Sequence, residues 1–220
     1  MFILGVLTSM SMVEAVIWDF GGVISASPFE AFGRYERERG LPPGFLRSVN
    51  ARNPHDNAWA RLERSECSAR EFDALFAAES AALGHEVRGT EVLALLDGVI
   101  RPEMVDALRL IRDRMKIGCI TNNFAVADEN APRMSDKTAI MQLFHHVIES
   151  AKAGVRKPDP RIYLMMTDAL GVSPERCIYL DDLGVNLKPA RELGMRTIKV
   201  QGADQALAEL EAMLGFALRD

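Results

Sequence analysis

Residues 16–24 read VIWDFGGVI. An apolar run ends in a carboxylate, Asp19, a double glycine follows, and the chain then turns apolar again. β-branched and aromatic residues before an acid, with two glycines after it, describe a strand that delivers Asp19 into a tight loop. Further apolar runs at 117–121, 146–149, 178–181 and 197–200 predict four more strands after the first, at 15–19. Helical patterns lie among and around them. PEMVDALRLIRDRM opens with Pro102 at a first helical position, and DPRIYLMMTDALG, VNLKPARELG and ADQALAELEAMLG stop at Gly171, Gly194 and Gly215. Strands alternating with helices predict a parallel sheet covered on both faces.

Between residues 27 and 100 that rhythm is broken. No strong strand pattern occurs there, and SAREFDALFAAESAALG is helical, with Ser68 as N-cap and Glu71 completing a capping box. The expected architecture is a Rossmann-like, three-layer α/β core built from residues 1–26 and 101–220, interrupted by an α-helical cap over residues 27–100.

Composition narrows the function. The chain is 48% hydrophobic and 26% charged, ordinary values for a globular protein. A net charge of −5 provides no basic field for nucleic acid. Cys67, Cys119 and Cys177 are scattered and odd in number, which supports neither a disulfide framework nor a zinc site and predicts a reducing, cytoplasmic setting. Cys119 and Cys177 lie in apolar runs, where a thiol packs as a small hydrophobe. The opening MFILGVLTSMSM has no positive n-region and is shorter than the ~20 residues of a membrane span. Met10 and Met12 lie just before the first strand, and the expectation is a natural start at one of them with the first residues a loose extension, Met1 staying open. The expectation is no membrane and no nucleic-acid partner; no surface stripe stands clear of the core pattern to set an oligomeric state.

In open parallel sheets, ligands bind beyond the carboxyl ends of the strands. The first strand ends at Asp19, the KIGCITNN strand at Thr121 and Asn122, and the CIYLDD strand at Asp181 and Asp182. GVRKPDP sets Lys157 just ahead of a helix. Each has an ordinary reading alone: a cap, a turn residue, a solvated charge. Adjacent Asp181 and Asp182, though, repel unless a cation or donors sit between them. Together these predict one edge carrying three carboxylates, a hydroxyl and an ammonium.

The four stretches WDFGGV, CITNN, VRKPDP and IYLDDLGVN, in this order, resemble the signatures of the haloacid-dehalogenase superfamily of hydrolases. The run IYLDDLGVNLKPARELGMRTIKV resembles the N-terminal phosphatase-like domain of soluble epoxide hydrolases. In the cap the likeness is limited to position, helical character and LERSECSAREF. The resemblance implies a Mg²⁺-dependent phosphatase of small phosphorylated metabolites. Asp19 is then the nucleophile that forms an aspartyl-phosphate and a metal ligand. Thr121, the Asn122 backbone N–H and Lys157 hold the phosphoryl group. Asp182 is the main carboxylate on Mg²⁺, Asp181 a second acidic ligand or outer partner, and the Gly21 carbonyl a further metal contact. Gly21 and Gly22 let the loop backbone approach the phosphate.

The charges support this chemistry independently. A carboxylate meeting a phosphate monoester is opposed by roughly 4 kcal/mol per unit charge pair at 4 Å and an effective dielectric near 20. A cation and a lysine must offset that before attack. Mg²⁺ takes oxygen ligands and keeps waters, so one or two carboxylates and a carbonyl suffice.

One position departs from the family pattern. Most phosphatases of the family carry, two residues after the nucleophile, an Asp that protonates the leaving oxygen; here it is Gly21. General acid–base help is worth about 10²–10⁴-fold. Three readings stay open: a phosphatase with a good leaving group or with an acid supplied elsewhere, for which His55 and Asp56 are candidates; a 2-haloacid dehalogenase, whose halide needs no proton; or a regulatory module that binds Mg²⁺ and phosphate. Asp181 and Asp182 favour the first. Phe29, His55 and Trp59 are the candidate substrate-selecting side chains of the cap.

Overall fold

The computed structural model describes residues 12–96, 98–123 and 136–219. All five expected strands form, with ends shifted by at most a residue: β1 (Ala15–Trp18), β2 (Lys116–Thr121), β3 (His146–Glu149), β4 (Cys177–Asp181) and β5 (Arg196–Lys199). They make one parallel sheet in the order β3-β2-β1-β4-β5. β1 is the central strand. The chain runs outward from it to β2 and β3, then crosses back to place β4 on its other side. The switch point of the sheet therefore lies at the carboxyl ends of β1, β2 and β4, where Asp19, Thr121 and Asp181 stand.

Among the described residues, eleven helices accompany the sheet. Five of them form the insert that follows β1: α1 (Pro28–Glu38), α2 (Phe45–Ala51), α3 (Ala58–Glu63), α4 (Ala69–Ala81) and α5 (Gly89–Leu93). The others are α6 (Pro102–Arg112), α7 (Asp136–Met141), α8 (Ser150–Ala153), α9 (Pro160–Leu170), α10 (Gly184–Glu192) and α11 (Ala203–Leu214). Successive side chains of β1 point to opposite faces. Val16 and Trp18 pack with Met104, Leu108 and Ile111 of α6 and with Leu207 and Leu210 of α11. Ala15 and Ile17 pack with Ile162, Tyr163 and Met166 of α9 and with Leu187 of α10. Because both faces are covered, all four β1 residues are buried, which is why the strand reads as a continuous apolar run rather than an alternating one.

The insert has a core of its own, formed by Phe32, Phe45, Leu46, Phe72 and Phe76 among others. Ser68 and Glu71 close the capping box at the start of α4. The chain leaves and re-enters the sheet side by side: Ser25 and Ile100 form an isolated antiparallel bridge, Ala26 N–H donates to the Val99 carbonyl at 2.8 Å, and Arg101 N–H donates to that of Ile24 at 2.9 Å. This paired neck lies where the sequence pattern changes.

Cys119 and Cys177 are buried in β2 and β4, and Cys67 is half-buried in the insert. No helix among the described residues is long and apolar enough to cross a membrane. Met1, Met10 and most of the apolar N-terminal run lie outside the described residues; Met12 is exposed.

Candidate active site

Asp19 follows directly on β1, and its backbone N–H continues the pairing with β4 by donating to the Leu180 carbonyl at 2.8 Å. Its Oδ1 accepts the Phe20 N–H at 2.7 Å and lies 2.8 Å from Lys157 Nζ. That ammonium also donates to Asp181 Oδ2 at 2.9 Å. Lys157 is only 1% exposed, so a pair of carboxylates, not water, solvates it. Burial alone would lower its pKa; Asp181 and Asp19 outweigh that and hold it above the ordinary lysine value. Asp19 moves the other way. Burial pushes its carboxyl up to about 8, Lys157 lowers it, and Asp181 and Asp182 raise it.

The two adjacent aspartates have different surroundings. Asp181, at the end of β4, is wholly buried and surrounded by donors. Tyr179 donates its hydroxyl to Oδ2, the Leu183 N–H reaches Oδ1 at 2.8 Å, and the Asn186 amide spans both oxygens at 3.1 Å. Asp182 is more open; Ser27, at the foot of the insert, donates its hydroxyl to Oδ2 at 3.0 Å. Burial and the neighbouring Asp181 raise the Asp182 pKa. One oxygen each of Asp19, Asp181 and Asp182 can be found within 4.8 Å of one another.

The glycines of the first loop differ as well. Gly22 has φ +76°, and a Cβ there would lie 2.2 Å from Asp182 Oδ2, so any side chain would displace the aspartate. Its carbonyl is held by Arg101 Nη1 at 2.9 Å. A Cβ on Gly21 would meet nothing within 4 Å. The loop has room at the position where a second carboxylate is absent.

Thr121, buried, closes β2. Asn122 turns its side chain toward Lys157, accepting that residue's N–H at 2.9 Å and donating to its carbonyl at 3.1 Å. Asp19, Thr121, Asn122, Lys157, Asp181 and Asp182 thus gather at one edge. The cap candidates do not join them in the same way. His55 and Asp56 are exposed. His55 lines a surface cleft of about 490 Å³ with Arg64, Arg156 and Arg161. Phe29 stacks edge-on against Phe32, and Trp59 against Phe72.

Tyr179, Asn186, Ser27 and Arg101 are not singled out by the sequence, nor is Glu63 of α3, whose carboxylate accepts the Asn122 amide at 3.2 Å. Tyr179 and Asn186 stand inside the stretch IYLDDLGVN, where spacing around the acid pair could have found them. Glu63 and Ser27 come from the insert, and no spacing relates them to the strand ends.

A three-layer parallel α/β fold with acids and a buried lysine at its switch point defines the class. The chain belongs to the haloacid dehalogenase-like hydrolases, whose family model matches residues 13–194. Among curated relatives, bifunctional epoxide hydrolase 2 of Sus scrofa is 33% identical over 221 residues, covering 94% of this chain and 40% of that protein. The chain spans less than half the length of the relatives it matches most fully. Among solved structures, a haloacid dehalogenase family enzyme from Bacteroides thetaiotaomicron, in complex with magnesium and inorganic phosphate, superimposes with a TM-score of 0.57 at 20% identity, covering 90% of this chain and 98% of that one. L-2-haloacid dehalogenase from Xanthobacter autotrophicus, with chloropropionic acid covalently bound, gives 0.57 at 18% identity, covering 91% and 83%. At these identities the structural likeness shows the fold alone.

Proposed function

We propose that the protein is a Mg²⁺-dependent phosphatase of small phosphorylated metabolites, acting through an aspartyl-phosphate on Asp19 in a cytoplasmic setting. The carrying observation is the Asp19 carboxylate 2.8 Å from the buried Lys157 ammonium, with Asp181 and Asp182 beside them. The cluster fits a hard divalent cation: its donors are all oxygen, and three carboxylates face one ammonium. Asp19, Asp182 and the Gly21 carbonyl would hold the ion, with Asp181 as an outer partner, since its oxygens already serve Lys157, Tyr179, Leu183 and Asn186. When bound, Mg²⁺ supplies positive charge that offsets the repulsion between nucleophile and phosphate.

The residues divide the remaining work. An Asp19 oxygen attacks phosphorus, the P–O ester bond breaks, and the electron pair leaves with the alkoxide. Lys157 balances charge on Asp19 and the transferring group, while Thr121 and the Asn122 N–H hold phosphoryl oxygens. Water then attacks the aspartyl-phosphate, inorganic phosphate departs and Asp19 is regenerated. The alkoxide needs a proton that Gly21 cannot give, so this site suits leaving groups stable without one, such as acyl or phenolic phosphates. Residues 27–100 act as a cap that excludes water.

A panel of phosphate esters and acyl phosphates, assayed with Mg²⁺ and with chelator, tests the reading. Metal-dependent phosphate release that disappears in Asp19→Asn is expected; no release from any member overturns it. Gly21 also favours a second reading, dehalogenation, because a halide leaves without a proton. Halide release from 2-haloacids in chelator would establish that alternative.

A further inference from the structure

Glu63, the last residue of α3, belongs to the insert yet is buried against the core of the sheet domain. Its Oε1 accepts the Trp59 indole N–H at 2.9 Å. Its Oε2 lies 2.5 Å from Arg156 Nε as an ion pair and accepts the Asn122 amide at 3.2 Å. Arg156 and Asn122 are residues of the sheet domain. Two further bonds run beside this one: Arg156 Nη1 donates to the Pro54 carbonyl at 2.9 Å, and Ser65 Oγ donates to that of Ala151 at 3.1 Å. Among the described residues, the insert is thus fastened at the neck, by Ser25 and Ile100, and again through the 54–65 stretch.

The second fastening leads straight to Lys157. Arg156 is its neighbour in the chain, and the Asn122 amide brackets both its backbone groups. An amide nitrogen has two hydrogens. Asn122 gives one to the Lys157 carbonyl and the other to Glu63, which fixes the amide orientation that also receives the Lys157 N–H. Without Glu63, a half-buried guanidinium loses its carboxylate and the amide loses one of its anchors.

We propose that Glu63 is the latch of the inserted helices and a positioning residue for Lys157, coupling closure of the insert to placement of the ammonium beside Asp19. The kinetic consequence rests on the phosphatase reading; the latch itself does not.

Hydrogen exchange on the full chain tests the latch without any substrate. Glu63→Gln and Arg156→Gln should each speed exchange of amides in 54–66 and 150–157 by tenfold or more. The double variant should exchange less fast than the product of the two single effects, because both remove the shared Glu63–Arg156 ion pair. Unchanged exchange in the single variants, or independent effects that multiply in the double, overturns the proposal. Arg156 lies in a loop outside the insert, so its variant decides the matter if Glu63→Gln fails to fold. On an ester that the wild type hydrolyses, Glu63→Gln should lower kcat at least tenfold with KM within about threefold, and Glu63→Asp should recover part of the loss. A rise in KM at unchanged kcat would make Glu63 a substrate contact and overturn the positioning role. Should the wild type hydrolyse no ester, the phosphatase reading fails and the exchange result still decides the latch.

Discussion

Gly21 and Gly22 stand side by side in the loop that carries Asp19, and the space around each leads to opposite expectations. Nothing lies within 4 Å of a Cβ on Gly21. Gly21→Asp therefore fits, and if a proton donor is all that the site lacks, hydrolysis of alkyl phosphates should rise by about 10²-fold. Rates on aryl and acyl phosphates should change far less, since their leaving groups need no proton. A steady-state comparison of the two ester classes measures this; equal effects on both would mean that the new carboxylate acts on the nucleophile or the metal instead. Gly22 is the reverse case. A methyl group there collides with the Asp182 carboxylate, and the backbone sits at φ +76°. Gly22→Ala should cost about 1–3 kcal/mol of stability through left-handed strain and should weaken Mg²⁺ binding, both readable in thermal unfolding with and without the ion.

The strands carry their identity in local pattern, which is why the sheet was legible. A parallel strand buried on both faces is a short apolar run, and each of the five runs became a strand. Asp19, Thr121, Asp181 and Asp182 were legible for the same reason: a polar residue that ends such a run sits on the ligand edge whatever the rest of the fold does. Lys157 was placed by its motif rather than by a strand. Glu63 was hidden because its meaning depends on which part of the sheet domain the insert rests upon, and that is a tertiary fact. Within α3 alone, Glu63 is one more charge on a helix end. The start of α4 was better encoded, because a cap is local chemistry. Ser68 accepts the Glu71 N–H, and the Glu71 carboxylate returns to the Ser68 N–H. Ser68→Ala should destabilise the insert by about 1 kcal/mol. The loss should show as faster hydrogen exchange through α4, with the sheet helices unaffected; uniform destabilisation would mean that insert and sheet unfold as one unit.

Across the whole molecule, the sheet converges three carboxylates on one buried ammonium, and the resulting charge links cation, proton and stability. Burial pushes the Asp19 carboxyl up to about 8 when no cation sits beside it, despite Lys157. A folded-state pKa raised above the unfolded value means that folding takes up a proton there. The associated stability is complete below the unfolded carboxylate range and is lost as pH rises through about 8. Metal-free protein should therefore lose melting temperature through this group as pH rises from about 4 to about 8, and level off above that. Mg²⁺ binds the ionised form, so cation and proton compete for Asp19. The stabilisation from added Mg²⁺ should be small well below pH 8, grow as pH approaches about 8 and then level off, reaching about 2.7 kcal/mol where the ion stands at 100 times its Kd. Thermal scans with Mg²⁺ and with chelator across that range measure both slopes, and Asp19→Asn should flatten them together. A Mg²⁺ increment independent of pH in the wild type would show Asp19 already ionised by Lys157, with the cation held by Asp182 and its neighbours without displacing a proton.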